Sequence, residues 1–238
     1  MDWVNKCLKY AQTLGLPRVC TLCGACPCRA GQGLCGACLD ELPFLGRACA
    51  LCASPVGSGE ICGRCLRRPP PYERLWAAFQ YGEPLTTLIQ GLKFHGRLSH
   101  ARLLGELMAS RLVASSSGLP HLILPVPLHR RRLRERGYNQ ALELARPIAR
   151  RLGIPLDYHC CQRVAATAMQ SQLSMAARRG NVRGAFRVRP RPGFEHVTVI
   201  DDVLTTGHTM AELVRCLKAA GAGRVEVWVC ARALLHGY

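Results

Sequence analysis

The sequence predicts an α/β protein with a parallel sheet covered by helices and a small metal-stapled module ahead of it. Three observations carry that prediction. Short apolar runs recur at Leu75–Tyr81, Leu122–Pro127, Val197–Ile200 and Val225–Cys230, and stretches with Leu at three- and four-residue intervals lie between them. A strand buried on both faces reads as a continuous apolar run, and its alternation with helices is the pattern of a parallel sheet. The third observation is a set of four Cys-x-x-Cys pairs confined to the first third of the chain.

Taken in order, Trp3, Val4, Cys7, Leu8, Ala11 and Leu14 repeat at helical spacing and stop near Gly15 and Pro17, so a short amphipathic helix opens the chain. Between Cys20 and Cys65 no long periodic apolar segment occurs, as expected where metal takes the place of a core. The Arg67-Arg68-Pro69-Pro70-Pro71 run reads as a stiff boundary, giving units 1–70 and 71–238. Past it, a strand at Leu75–Tyr81 is followed by helices over Leu85–Phe94 and Leu98–Val113 and a break at Ser115–Gly118. The run Leu122–Pro127 then reads as a buried strand ending at a loop, and Asn139–Leu152 as a helix. The strand Val197–Ile200 is followed by two acids and a small-residue loop, with a helix resuming at Met210 and stopping at Gly221 and Gly223. Strand Val225–Cys230 closes the pattern.

Composition removes several classes. With 238 residues, 49% of them hydrophobic and 20% charged, the chain can bury a core, so wholesale disorder is excluded. Its 23 Gly and 15 Pro follow no triplet period, which excludes a collagen-like fibre. No apolar run approaches the roughly 18 to 20 residues of a membrane helix, so we expect a cytoplasmic protein without membrane insertion. The formal charge is +17, and the segment from His129 to Arg191 holds fifteen Arg against Glu135, Glu143 and Asp157, a local +12. Like charges at that density repel unless a polyanion neutralises them, although a solvated basic face is the alternative.

Fifteen cysteines with no secretory signal point to metal ligation rather than disulfides. The pairs are Cys20 with Cys23, Cys35 with Cys38, Cys49 with Cys52 and Cys62 with Cys65, separated by eleven, ten and nine residues. Loops of that length let two pairs meet around one tetrahedral ion, giving two structural Zn2+ sites of four thiolates each. Iron–sulfur binding and a redox dithiol remain the alternatives. Eight thiolates and two Zn2+ together add −4, lowering the formal charge to about +13. Cys23 with Cys26 has the same spacer as Cys20 with Cys23; Gly24 favours the latter because it eases a tight turn. Cys7, Cys160, Cys161, Cys216 and Cys230 read as small core residues.

The segment Val197–Thr209, VTVIDDVLTTGHT, carries the chemistry. A loop between strand and helix presents successive N–H groups and the positive end of a helix dipole, so Thr205, Thr206, Gly207 and Thr209, with Val203, Leu204 and His208 around them, suit a phosphate. Asp201 and Asp202 suit the vicinal hydroxyls of a sugar. A phosphorylated ribose meets both demands.

This segment resembles the phosphoribosyl diphosphate (PRPP) signature of type I phosphoribosyltransferases. The four cysteine pairs, Tyr81-Gly82, Leu92-Lys93-Phe94, Pro125-Val126-Pro127-Leu128, Arg136-Gly137-Tyr138-Asn139-Gln140, and Arg163 with Gln170, Leu173, Arg178, Asn181 and Phe186 extend the resemblance to the ComF/GntX family over nearly the whole chain. The resemblance implies a double zinc ribbon joined to a type I phosphoribosyltransferase-like sheet domain, and an association with competence. It implies PRPP and Mg2+ as ligands, Asp201 and Asp202 on the ribose, and residues 203–209 around its phosphate. It further implies a diphosphate loop after Val126 that includes Pro127 and Leu128, with Arg136 and Asn139 close by. A mobile loop from Cys161 to Phe186 would bring Arg163 or Arg178 to the leaving group. Each of these arginines reads equally as a solvated face. Tyr81 and Lys93 would belong to a hood over the acceptor, or else be a packed Tyr and a surface Lys. Single-stranded DNA and DNA-uptake proteins are the implied partners.

Overall fold

The computed structural model describes residues 19–25, 28, 33–113, 118–165, 184–190 and 192–234. The helix expected over residues 3–14 lies outside them. The chain forms two units, 1–42 and 43–238. In the first, the described residues hold two cysteine turns and a one-turn helix α1 (Gly36–Asp40) whose buried residue is Cys38.

The second unit begins with a cysteine-bearing segment ending in α2 (Gly63–Arg67) and continues through β1 (Arg74–Gln80), α3 (Leu85–Phe94), α4 (Leu98–Val113), β2 (Leu122–Pro125), α5 (Arg130–Arg136) and α6 (Gln140–Leu152). It then runs through β3 (Cys161–Arg163), β4 (Phe186–Val188), β5 (His196–Leu204), α7 (His208–Ala219) and β6 (Arg224–Arg232). The main sheet has the order β1-β6-β5-β2 and all its pairings are parallel, as the unbroken apolar runs predict. Its core joins Leu75, Leu124, Val197, Val199, Val225, Val227 and Val229 to Met210, Leu213, Val214 and Leu217 of α7. Each fully buried aliphatic side chain contributes about 1.5–3 kcal/mol.

Helices α4 and α6 pack against each other, and α6 also packs on β2 and β5. Gly105 permits their close crossing, because a Cβ there would stand 2.3 Å from Pro147 Cγ and 2.7 Å from the Leu144 carbonyl oxygen. Asn139 caps α6 by accepting the Ala141 N–H at 3.0 Å, and it donates to the Val126 carbonyl at 3.0 Å. One side chain therefore joins the start of α6 to the end of β2.

Three features depart from the sequence expectation. Strand β5 continues four residues past its apolar run, so Asp201 and Asp202, expected just after the strand at its carboxyl end, lie within it. The ladder is made by backbone groups, and β6 extends far enough to pair with Val203 and Leu204. Helix α5 buries nothing and has no apolar signature; His129 Nδ1 caps it, an Arg131–Glu135 ion pair braces it, and Gly137 at φ +82° ends it. Lastly, β3 and β4 pair antiparallel, so the described ends of the 161–186 loop are bound to each other.

Candidate functional site

The carboxyl end of β5 gathers the predicted residues. Partner β2 ends at Pro125, while β5 runs on to Leu204 along β6, so the acid pair is flanked by a strand on one side only. Asp202 is 4% exposed. Its Oδ2 lies 3.1 Å from Lys93 Nζ at the end of α3, and Asp202 is also close enough to the buried Cys230 thiol to help push that thiol upward. Asp201 is half-buried, and its Oδ1 accepts the Asp202 N–H at 2.9 Å. Burial and the Asp202 charge push the Asp201 carboxyl up to about 7, against the partial relief given by that hydrogen bond, Lys93 and Arg163. The charged form of Asp201 is thus disfavoured even with Lys93 present, and a further cation beside the pair would stabilise it.

The Thr205–Thr209 turn follows directly. Gly207 takes φ +77°, a left-handed conformation that a side chain would strain, and it occupies the N-cap position of the twelve-residue helix α7. The Ala211 N–H returns to the Gly207 carbonyl at 2.8 Å, so the first-turn amides of α7 are directed along the helix axis, with the positive end of the dipole at the turn. Thr205 is exposed and Thr206 to Thr209 half-buried. Such a turn can hold an anion through backbone donors and hydroxyls.

A cavity of about 700 Å³ opens between the end of β2, the start of α6 and strand β3. Its walls include Pro127, Leu128, Asn139, Tyr158, Arg163 and Arg187. Four residues predicted for the diphosphate are thus brought together. Arg163 also lies within electrostatic reach of Asp201. Arg136 does not line this cavity; it donates to Gln140 Oε1 at 2.6 Å, with its guanidinium 6.0 Å from the Phe94 ring centre. Arg178 lies outside the described residues. Tyr81 donates its N–H to the Arg232 carbonyl at the end of β1.

The sequence reading missed the placement of Lys93 on the acid pair. A signal was present: the chain has four lysines among 32 basic residues, so a lysine is the exception that asks for a reason. A compact ammonium fits a single carboxylate oxygen where a guanidinium fork needs more room.

The eight predicted cysteines form two groups, Cys20, Cys23, Cys35 and Cys38 in the first unit, and Cys49, Cys52, Cys62 and Cys65 in the second. Within each, all sulfurs lie within 4.8 Å of one another. A tetrahedron with Zn–S bonds of about 2.3 Å has edges of about 3.8 Å, and Cys23–Cys35 at 4.0 Å and Cys52–Cys62 at 3.6 Å bracket that value. The donor set therefore fits zinc in a closed structural site. Gly24 sits at φ +68° with its N–H on the Cys20 carbonyl, which is the turn expected of it. Ala53 makes the equivalent turn at φ +51° in the second group. Burial alone would raise the Cys52 thiol, yet hydrogen bonds from Ser54 and neighbouring cysteines bring it down to about 6, and backbone donors do the same for Cys20.

Residues 139–234 match the phosphoribosyl transferase domain family, and residues 11–66 match the double zinc ribbon domain. A protein of Salmonella typhi named DNA utilization protein YhgH is 38% identical over 227 residues, covering 93% of this chain and 100% of that protein. Competence protein F of Haemophilus influenzae is 34% identical over 215 residues, covering 86% and 92%. Competence protein ComFC of Bacillus subtilis is 24% identical over 204 residues, covering 80% of each. Among the described residues no helix is long and apolar enough to cross a membrane.

Proposed function

The chain belongs to the ComF family of competence and DNA utilization proteins, and from that premise we propose that it binds PRPP with Mg2+ and transfers the phosphoribosyl group to a nucleophilic acceptor. One observation carries this reading: an acid pair and an anion-holding turn share the carboxyl end of a single central strand, the turn beginning three residues after Asp202. The turn suits the 5-phosphate and the acids suit the ribose. The cavity beside Pro127 and Arg163 suits the diphosphate.

Displacement of diphosphate at the anomeric carbon develops positive charge on the ring and negative charge on the leaving group. Asp201 and Asp202 favour the first, and Arg163 favours the second. Two carboxylates are hard oxygen donors suited to Mg2+, which when bound supplies neutralising charge beside the diphosphate. Lys93, 3.1 Å from Asp202 Oδ2, holds that side chain in place in the meantime. The test is calorimetric titration of the protein with PRPP in Mg2+. Asp201→Ala combined with Asp202→Ala is expected to abolish binding, and undiminished affinity refutes the site. Diphosphate release followed with candidate bases, amines and single-stranded DNA identifies the acceptor.

A second reading, a zinc-containing adaptor that holds single-stranded DNA without catalysis, is favoured by α5. Its five arginines include four that are not paired with Glu135, the helix's own acid, and none of its residues is buried. Such binding is electrostatic and loses affinity steeply with salt. A flat plot of log affinity against log salt removes this reading.

A further inference from the structure

Arg232, the last residue of β6, is 5% exposed, and its guanidinium is spent on carbonyl oxygens. Nε donates to the Cys52 carbonyl at 2.8 Å. Nη1 donates to the carbonyls of Leu204 at 3.0 Å and Ala233 at 2.6 Å, and also to that of Thr205. Two of these acceptors open the anion-holding turn, and one lies in the Cys49–Cys52 knuckle, 180 residues away in the chain. Among the described residues no carboxylate forms an ion pair with Arg232. A buried cation without a counter-ion is costly. The opposite charge brought near is on sulfur, because the Nε bond ends on Cys52, a member of the second cysteine group. Four thiolates and one Zn2+ sum to about −2, which makes the loaded centre the counter-ion that Arg232 otherwise lacks.

We propose that Arg232 is a positioning residue through which the Cys49/Cys52/Cys62/Cys65 metal centre holds the Leu204–Thr205 backbone, so that metal at this centre sets the shape of the anion-holding turn. The second metal site then serves substrate binding as well as folding. The inference deepens the PRPP reading and rests on it for its affinity consequence, while the mechanical link rests on the hydrogen bonds alone. Because coupling between two sites is reciprocal, ligand at the turn must also retain metal at the cysteines.

The experiment uses the zinc-loaded full chain as wild type, Arg232→Met and Arg232→Lys, with amide hydrogen exchange, zinc content and PRPP titration in Mg2+ measured on each. Arg232→Met removes every donor at similar length. Exchange over residues 204–209 is expected to quicken at least about tenfold with β6 still protected and two zinc ions retained, and PRPP affinity to fall at least about tenfold. Arg232→Lys, which keeps the charge but cannot reach all the carbonyls, is expected to fall between. In wild type, saturating PRPP is expected to slow chelator-driven loss of one zinc of the two, and in Arg232→Met to leave it unchanged. Native protection of 204–209 in zinc-loaded Arg232→Met overturns the proposal. Should that variant not fold, the wild type decides: release of zinc must loosen 204–209 before β6, and release with the turn still protected overturns it equally. If the wild type takes up no PRPP, the functional reading falls, while the exchange measurements still judge the coupling.

Discussion

Asp201→Asn should make the unliganded protein more stable above neutral pH, although it removes a residue assigned to the ribose. The folded chain lifts this carboxyl from its ordinary 3.8 up to about 7, chiefly by burial and by the Asp202 charge. The folded state therefore binds a proton more tightly than the unfolded chain, and stability falls as pH rises between about 4 and 7, with the full loss present above the folded value. At about 1.4 kcal/mol for each pKa unit the shift amounts to roughly 4 kcal/mol, and solvent screening of a half-buried group reduces it to about 2. Asparagine keeps the oxygen that accepts the Asp202 N–H at 2.9 Å and has no charge to bury. Urea unfolding of wild type and variant at pH 5 and pH 8 reads the difference directly. We expect Asp201→Asn to gain about 2 kcal/mol at pH 8 and less than half of that at pH 5, with the denaturant slope unchanged. Equal midpoints at pH 8 would mean that the acid pair is not strained, and the argument that it awaits a cationic partner would fail.

Three further outcomes follow from the geometry. Lys93→Met leaves the buried Asp202 carboxylate without its ammonium and should cost about 3–5 kcal/mol in urea unfolding, most of it recovered when Asp202→Asn is added; an additive double variant would show that the 3.1 Å pair is incidental. Gly105→Ala drives a methyl into Pro147 and the Leu144 carbonyl and should destabilise the α4–α6 crossing by about 1–3 kcal/mol, whereas a change below about 0.5 kcal/mol would mean that these helices separate freely. Metal analysis should find two zinc ions per chain, and chelation should lower the thermal midpoint and expose eight cysteines to thiol reagents; one ion, or none, would break the assignment of the cysteine groups.

Periodicity made the helical layer legible: α3 and α4 occupy Leu85–Phe94 and Leu98–Val113, the residues their leucines mark. The cysteine groups were legible for a local reason, since a two-residue spacer turns both sulfurs of a knuckle to one point whatever the rest of the chain does. The acids of β5 hid the end of that strand because hydropathy reports side chains, whereas the ladder that continues to Leu204 is made of backbone. Helix α5 was silent for the opposite reason: it stands on caps and an ion pair and presents no apolar face. The meeting of Lys93 with Asp202 and the reach of Arg232 to Cys52 join segments far apart in sequence, and no local pattern encodes such encounters.

The borders of the main sheet bear on how this molecule keeps company with copies of itself. Along the outer side of β1, the Leu45 N–H donates to the Ala78 carbonyl, that of Gln80 to Pro43 and that of Leu75 to Ala50; along the outer side of β2, the Ile123 N–H donates to the Pro155 carbonyl and that of Asp157 to Ile123. Both rims are thus stitched by the chain's own flanking segments, which denies a foreign strand the row of bare peptide groups on which fibrils and swapped dimers are built. Crowding of this protein should then produce contacts governed by its surface charge, reversible on adding salt, rather than irreversible strand recruitment.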